Sequence, residues 1–405
     1  MKRHKPDFLI LFIVLTLVAF GLLMIFSASM VWAVQVVGEP PTYYVKRQII
    51  FAIIGLVLML ILMNIGPNTI RRWAKFFSII TLIMLIAVLI PGIGHKAAGV
   101  RRWLGPIQPS EFAQIGILFY LAYIFDKNKK KLHDFRHGVL PPLLMLGFQF
   151  ILVLLEPDMG TGMLLLLSGI VIVIAAGVRF LHLLVIGLMF IPMVIAFAVF
   201  ESYRNIRIQV FLHPWSQALV NKGGYQIQQS LMAIYHGGLF GQGLGQGISP
   251  YLYLPIPHED FIFAVIVEEL GVVGAFVVLA LYASLVWRGI KVGLNLQNRF
   301  ASLLAFGISG MIGVGTLINV TAVTGLIPVT GIPLPFISYG GTALVAKMAA
   351  MGILLALSRY TREEVQIQED VFPFDNVLPL AERLSSAKSV TLKSDTLKKK
   401  RRLRG

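Results

Sequence analysis

Residues able to do chemistry stand out in this 405-residue chain because so much of it is apolar. Two arginine pairs come first: Arg101-Arg102, beside Trp103, and Arg204/Arg207, beside Tyr203. A guanidinium fork can grip phosphate through two parallel hydrogen bonds. The plainer alternative is that these side chains snorkel to lipid headgroups and touch no substrate. Carboxylates are the second group. Glu111, Glu156, Asp158, Asp260, Glu268 and Glu269 lie at the ends of apolar runs or inside them. A carboxylate at membrane depth is costly and faces the bundle interior or a polar cavity. Asp260 follows Leu254-Pro255-Ile256-Pro257-His258-Glu259 and precedes an apolar run from Phe261, so a helix N-cap is its plain alternative. Glu268 and Glu269 lie roughly 12–13 Å deeper along that run at about 1.5 Å per residue. Lys347 sits at a similar depth in the last apolar run, and a buried ion pair with Glu268 and Glu269 is expected.

Other patterns exclude functions. Gly241-x-Gly243-x-Gly245-x-Gly247 lacks the strand-turn-helix context of a nucleotide-binding loop. His95, His213, His236 and His258 have no ligand spacing, so no histidine metal site is expected. With no cysteine, the chain can form neither a disulfide nor a catalytic thiolate.

The elements that must position these residues are membrane helices. The chain is 57% hydrophobic and 13% charged, whereas a soluble domain has about a quarter charged residues. A hydrocarbon core about 30 Å thick needs roughly 20 apolar residues per helix. Ten runs qualify or nearly so: 8–34, 48–64, 77–92, 110–126, 139–156, 161–178, 181–200, 260–288, 300–322 and 340–358. They lack the alternating polarity of an outer-membrane barrel. The first run follows Met1-Lys2-Arg3-His4-Lys5, yet is longer than a signal-peptide core and reads as an uncleaved helix. With the N-terminus inside, 26 of the 35 basic residues fall on the cytoplasmic side and 8 outside, as the positive-inside rule requires. The net charge of +16 therefore reflects topology and not nucleic-acid binding. Residues 1–360 form one membrane domain, with a long outside loop over 201–258. Residues 361–405 form a flexible tail whose Lys398-Lys399-Lys400-Arg401-Arg402 cluster suits anionic lipids at the inner leaflet.

Several strings taken together resemble one family. They are Gly99-Val100-Arg101-Arg102-Trp103-Leu104-Gly105, Gln108-Pro109-Ser110-Glu111, Glu156-Pro157-Asp158-Met159-Gly160-Thr161 and Gly224-Tyr225-Gln226-Ile227-Gln228-Gln229-Ser230. To these add Leu254-Pro255 through His258-Glu259-Asp260-Phe261-Ile262-Phe263, then Glu268-Glu269-Leu270-Gly271, and Pro333-Leu334-Pro335-Phe336-Ile337-Ser338-Tyr339-Gly340-Gly341. In order and placement the set is similar to the SEDS proteins (shape, elongation, division and sporulation), namely FtsW, RodA and SpoVE, with a lean toward FtsW and SpoVE. The resemblance runs over about residues 8–358 and implies an all-α ten-helix membrane fold. It also implies polymerisation of lipid II, with a class B penicillin-binding protein and other division or elongation proteins as partners. By the same resemblance Asp260 is the catalytic candidate and Trp103 a functional position. The chain departs from the pattern at Gln114, where lysine is common, at His213 for aspartate, at Glu259 for threonine, and in carrying Lys347 at all.

Joining a sugar hydroxyl to an anomeric carbon that carries lipid pyrophosphate needs a base near the hydroxyl and cations near the leaving group. Asp260 is the expected base. Arg101, Arg102, Arg204 and Arg207 are the candidate pyrophosphate contacts, with Trp103 and His258 beside the substrate. Glu111 and Asp158 would orient these groups or hold a divalent cation, the one cofactor the reading leaves open. A lipid-precursor flippase and a scaffold for a transpeptidase are the alternatives. A flippase needs a polar path through both leaflets, whereas the unusual charges here cluster toward the outer one. The expected location is the bacterial cytoplasmic membrane, with both termini inside.

Overall fold

The computed structural model describes residues 4–97, 100–179, 181–188, 190 and 202–361. The basic tail 362–405 lies outside the described residues, as does most of the run 181–200. The other nine apolar runs all coincide with helices. In chain order these are α1 (Phe8–Trp32), α2 (Tyr43–Leu62), α3 (Pro67–Leu89), α4 (Pro109–Lys127), α5 (Leu140–Leu155) and α6 (Met159–Ala175). After α7 (Ser202–Leu212) and α8 (Tyr225–Gly237) come α9 (Ile262–Asn295), α10 (Arg299–Val323) and α11 (Gly341–Ser358). Among the described residues, seven helices are long and apolar enough to cross a membrane. The protein is an all-α polytopic membrane protein. A small antiparallel hairpin, β1 (His95–Ala97) and β2 (Val100–Trp103), is added between α3 and α4.

Polar contacts set the register of the bundle. Asp7 caps α1 by accepting from the Leu9 and Ile10 N–H groups, and it takes both Nε and Nη2 of Arg288 from α9. Near the other end of α1, the Ser27 hydroxyl donates to Glu269 of α9. Asp7 and Ser27 are ~30 Å apart along a helix rising about 1.5 Å per residue, which matches a hydrocarbon core. Helix α11 is buried on nearly every face from Thr342 to Ser358. Its Gly352 lies against the backbone of Met59, where a Cβ would stand 2.6 Å from the Met59 carbonyl oxygen. Without a hydrophobic drive between helices in lipid, such close backbone approach is a main source of packing energy.

The expected outside loop 201–258 is not a loop throughout, since it contains α7 and α8, and α8 packs along α9. Helix α9 breaks at Gly271 (φ 69°, ψ −176°). Backbone groups near the break pair with the segment after α8. The Gln242 and Gly243 N–H groups donate to the carbonyls of Glu268 and Glu269, both at 2.9 Å. Val272 and Val273 donate back to Gly238 and Leu239, at 3.0 and 3.2 Å. A broken membrane helix survives only where its freed polar groups find protein partners.

Candidate active site

A cavity of about 620 Å³ gathers residues from widely separated parts of the chain. Helix α2 gives Arg47, β2 gives Arg102 and Trp103, and the first turn of α4 gives Glu111. Asp158, the N-cap of α6, adds a carboxylate whose Oδ1 accepts the Thr161 N–H at 3.0 Å. Glu259 and Asp260 come from the turn before α9, and Tyr339 from the segment before α11.

Asp260 is not a helix cap. Helix α9 starts at Ile262, and its N-cap, Phe261, makes no side-chain bond to the helix. The Asp260 backbone is instead pinned: the Asn319 side-chain NH2 donates to the carbonyls of Asp260 (2.8 Å) and Ile332 (2.7 Å). Its carboxyl faces the cavity. Burial pushes its pKa up to about 6, and nearby Asp158 adds to this, while Arg207 and Arg102 pull the other way. Burial and the adjacent Asp260 push Glu259 up to about 7. Behind the wall, burial and then Asp158 hold Glu156 near 9, so its carboxyl is protonated at neutral pH.

Other expected positions fall differently. His258 is fully buried away from the cavity wall, between the rings of Tyr44 (centroids 4.1 Å apart) and Tyr339 (5.6 Å). Burial lowers its pKa to about 4, so the ring is neutral at pH 7. Arg101 pairs across the hairpin with Lys96 and does not line the cavity. Arg207 donates to the Val329 carbonyl at 2.8 Å and stands beside Asp260. The Arg204 side chain lies outside the described residues. Arg102 does reach the cavity, yet its fork is turned to the α5–α6 turn. Its Nε and Nη2 donate to the carbonyls of Glu156 (2.9 Å) and Pro157 (2.5 Å), and Nη1 lies 3.7 Å from Asp158.

The expected Glu268/Glu269–Lys347 ion pair does not form. Glu268 accepts the N–H groups of Ile248 and Ser249, and Glu269 accepts from Ser27. Lys347 pairs with Glu111 at 2.9 Å. Equal depth along two helices says nothing about which faces meet, and α11 presents Lys347 to α4. Glu111 Oε2 accepts from Lys347 and Asp158 Oδ1 from Thr161, and among the described residues no three His, Asp or Glu side chains form a cation-holding group. The sequence reading missed Arg47, Glu259 and Tyr339 as cavity residues. Arg47 had a legible signal as a basic residue outside against the charge bias, while Tyr339 lay unexamined inside the Ser338-Tyr339-Gly340-Gly341 string.

Comparison with known proteins bears on the whole of this frame. The family model described as cell cycle protein, covering FtsW, RodA and SpoVE, matches residues 7–363. The chain belongs to the FtsW/RodA/SpoVE family. Among its relatives, stage V sporulation protein E of Bacillus subtilis is 41% identical over 365 residues, 89% of this chain and 99% of the relative. A probable peptidoglycan glycosyltransferase FtsW of Trichlorobacter lovleyi is 40% identical, covering 88% of this chain and 94% of that one. Among solved structures, a chain from a peptidoglycan synthase complex that coordinates polymerisation and crosslinking superposes with a TM-score of 0.71. It is 28% identical and covers 87% of this chain and 98% of its own. Rod shape-determining protein RodA of Thermus thermophilus follows at 0.63, with 27% identity over 88% of this chain and 98% of its own. The FtsW/RodA/SpoVE fold thus extends over α1–α11, and the tail beyond 363 is outside it.

Proposed function

We propose that this chain is a peptidoglycan glycosyltransferase that polymerises lipid II at the outer face of the bacterial cytoplasmic membrane, with both termini inside. The observation that carries the reading is Asp260: a half-buried carboxyl with a pKa near 6, on a pinned backbone, facing a cavity that also holds Arg47 and Arg102. In this reading Asp260 accepts the proton of the attacking sugar hydroxyl. That oxygen displaces lipid pyrophosphate from the anomeric carbon with inversion. Arg47, whose guanidinium lies 4.6 Å from the Tyr43 ring centroid and beside Tyr339 and is not engaged by the α5–α6 turn, is the better-placed cation for the leaving group. Trp103 stacks on the sugar or stiffens the hairpin. The partner is a class B penicillin-binding protein, in keeping with a structural neighbour described as a synthase complex that couples polymerisation to crosslinking.

The test is purified protein with such a partner and lipid II, read by glycan electrophoresis. Polymer that depends on this chain is expected. Movement of lipid II between leaflets with no polymer formed would make the chain a flippase instead.

A further inference from the structure

Nothing in that mechanism uses Lys347. It lies in the interior of α11 and is nearly fully buried, as is Glu111. Its Nζ donates to Glu111 Oε2 at 2.9 Å and to Gln114 Oε1 at 2.5 Å, and Gln114 Nε2 lies 3.5 Å from Glu111 Oε2. Of the three, only Glu111 lines the cavity; Lys347 and Gln114 stand behind it. The contacts fix the Gln114 amide in one sense, because its oxygen must face the ammonium and its NH2 the carboxylate.

We propose that Lys347 is a positioning residue for the cavity: it holds Glu111 in one orientation, as an acceptor for hydrogen bonds from hydroxyl or amide groups of the sugar substrate. The inference rests on the glycosyltransferase reading above. A buried carboxylate that loses its counter-charge takes up a proton or turns away. Once protonated it becomes a donor as well as an acceptor, and its sense toward a sugar hydroxyl changes. A single cation reaching across from α11 therefore decides what Glu111 offers the substrate. Residues 111 and 114 are i,i+3 neighbours on one face of α4. A lysine at 114 would hold the same carboxylate from its own helix.

This geometry supplies the test. Three variants of the full chain, purified with the partner, are measured for melting temperature and for initial polymerisation rate against lipid II concentration. Lys347→Met alone is expected to lower the melting temperature and cut the rate at low substrate at least tenfold. Lys347→Met with Glu111→Gln removes both charges, so it should regain the melting temperature yet stay at least tenfold slow, mainly through a raised KM. Lys347→Met with Gln114→Lys should regain both, to within about threefold of the wild-type rate. A charge-free pair that polymerises at the wild-type rate would reduce the cluster to packing and overturn the proposal. A relocated lysine that folds but works no better than the charge-free pair would also overturn it. If wild-type protein made no polymer at all, the function proposed above would fall on its own. An unchanged melting temperature in Lys347→Met would still refute the Lys347 assignment.

Discussion

Burial holds the Asp260 carboxyl near 6, so the group is ionised at neutral pH while remaining more basic than an exposed aspartate. For a base the sign is simple: the rate should rise as pH climbs through about 6 and level off above it, with loss below as the carboxyl takes up its proton. Asp260→Asn removes the base without changing shape. Because α9 does not use Asp260 as a cap, the variant should keep its melting temperature and lose activity by about 10²–10⁴, the usual worth of a general base. Normal glycan output from it would end the assignment. Arg102 calls for a different expectation. Its fork bridges two carbonyls of the α5–α6 turn, and lysine, with all its donors on one nitrogen, lacks the planar fork that reaches both in this geometry. Arg102→Lys should therefore destabilise the fold by roughly 1.5–3 kcal/mol, the range for hydrogen bonds to charged groups, visible as a lower melting temperature. An unchanged melt with impaired lipid II binding would return Arg102 to the pyrophosphate.

At the scale of elements, what the sequence disclosed was set by how far hydropathy governs each segment. Apolar length alone located nine helices, since lipid tolerates little else at that depth. It placed the start of α3 at 77, ten residues late, because Arg71, Arg72 and Lys75 depress the hydropathy of a helix that opens at Pro67. Arg71 is accommodated there by Asp126 of α4 at 2.6 Å. Helices α7 and α8 read as loop because they are short, 11 and 13 residues, and interleave polar with apolar side chains. In the cavity, Asp260, Arg102, Trp103, Glu111 and Asp158 were legible as charges or aromatics at run ends. The partners of Lys347 were not, since helix-to-helix facing depends on the packed bundle. The break at Gly271 offers an element-scale test. Its φ of 69° disfavours any side chain, and a Cβ would stand 2.2 Å from the Leu239 carbonyl oxygen. Gly271→Ala should cost about 1–3 kcal/mol from strain alone and loosen the pairing of 238–243 with α9. Hydrogen exchange there should quicken in Gly271→Ala, and exchange unchanged from wild type would mean the break is not held by this residue.

For the whole molecule the open question is which way the bundle sits in its membrane. Two ties between α1 and α9, Asp7–Arg288 and Ser27–Glu269, are separated by about one hydrocarbon thickness, so they mark opposite interfaces. Basic residues favour the Asp7 side as cytoplasmic: Lys5 flanks Asp7 in sequence, Arg288 pairs with it in space, and Lys291 and Arg299 flank Arg288 at the α9–α10 connection, short flanks that the positive-inside rule counts most heavily. Under the proposed function, the cavity with Asp260 belongs to the opposite side, the face from which lipid II would present its sugars. Since the chain has no cysteine of its own, a single introduced thiol reports on its own position alone. Gln246 is exposed in the segment between α8 and α9, and Ser389 lies in the basic tail. In intact cells, an impermeant thiol reagent should label Gln246→Cys and spare Ser389→Cys until the cells are opened. The opposite pattern would invert the molecule and put the cavity out of reach of an outer-face substrate. Labelling of both in intact cells would place an even number of crossings between them, where α9, α10 and α11 make three, and would overturn the helix count from α9 onward.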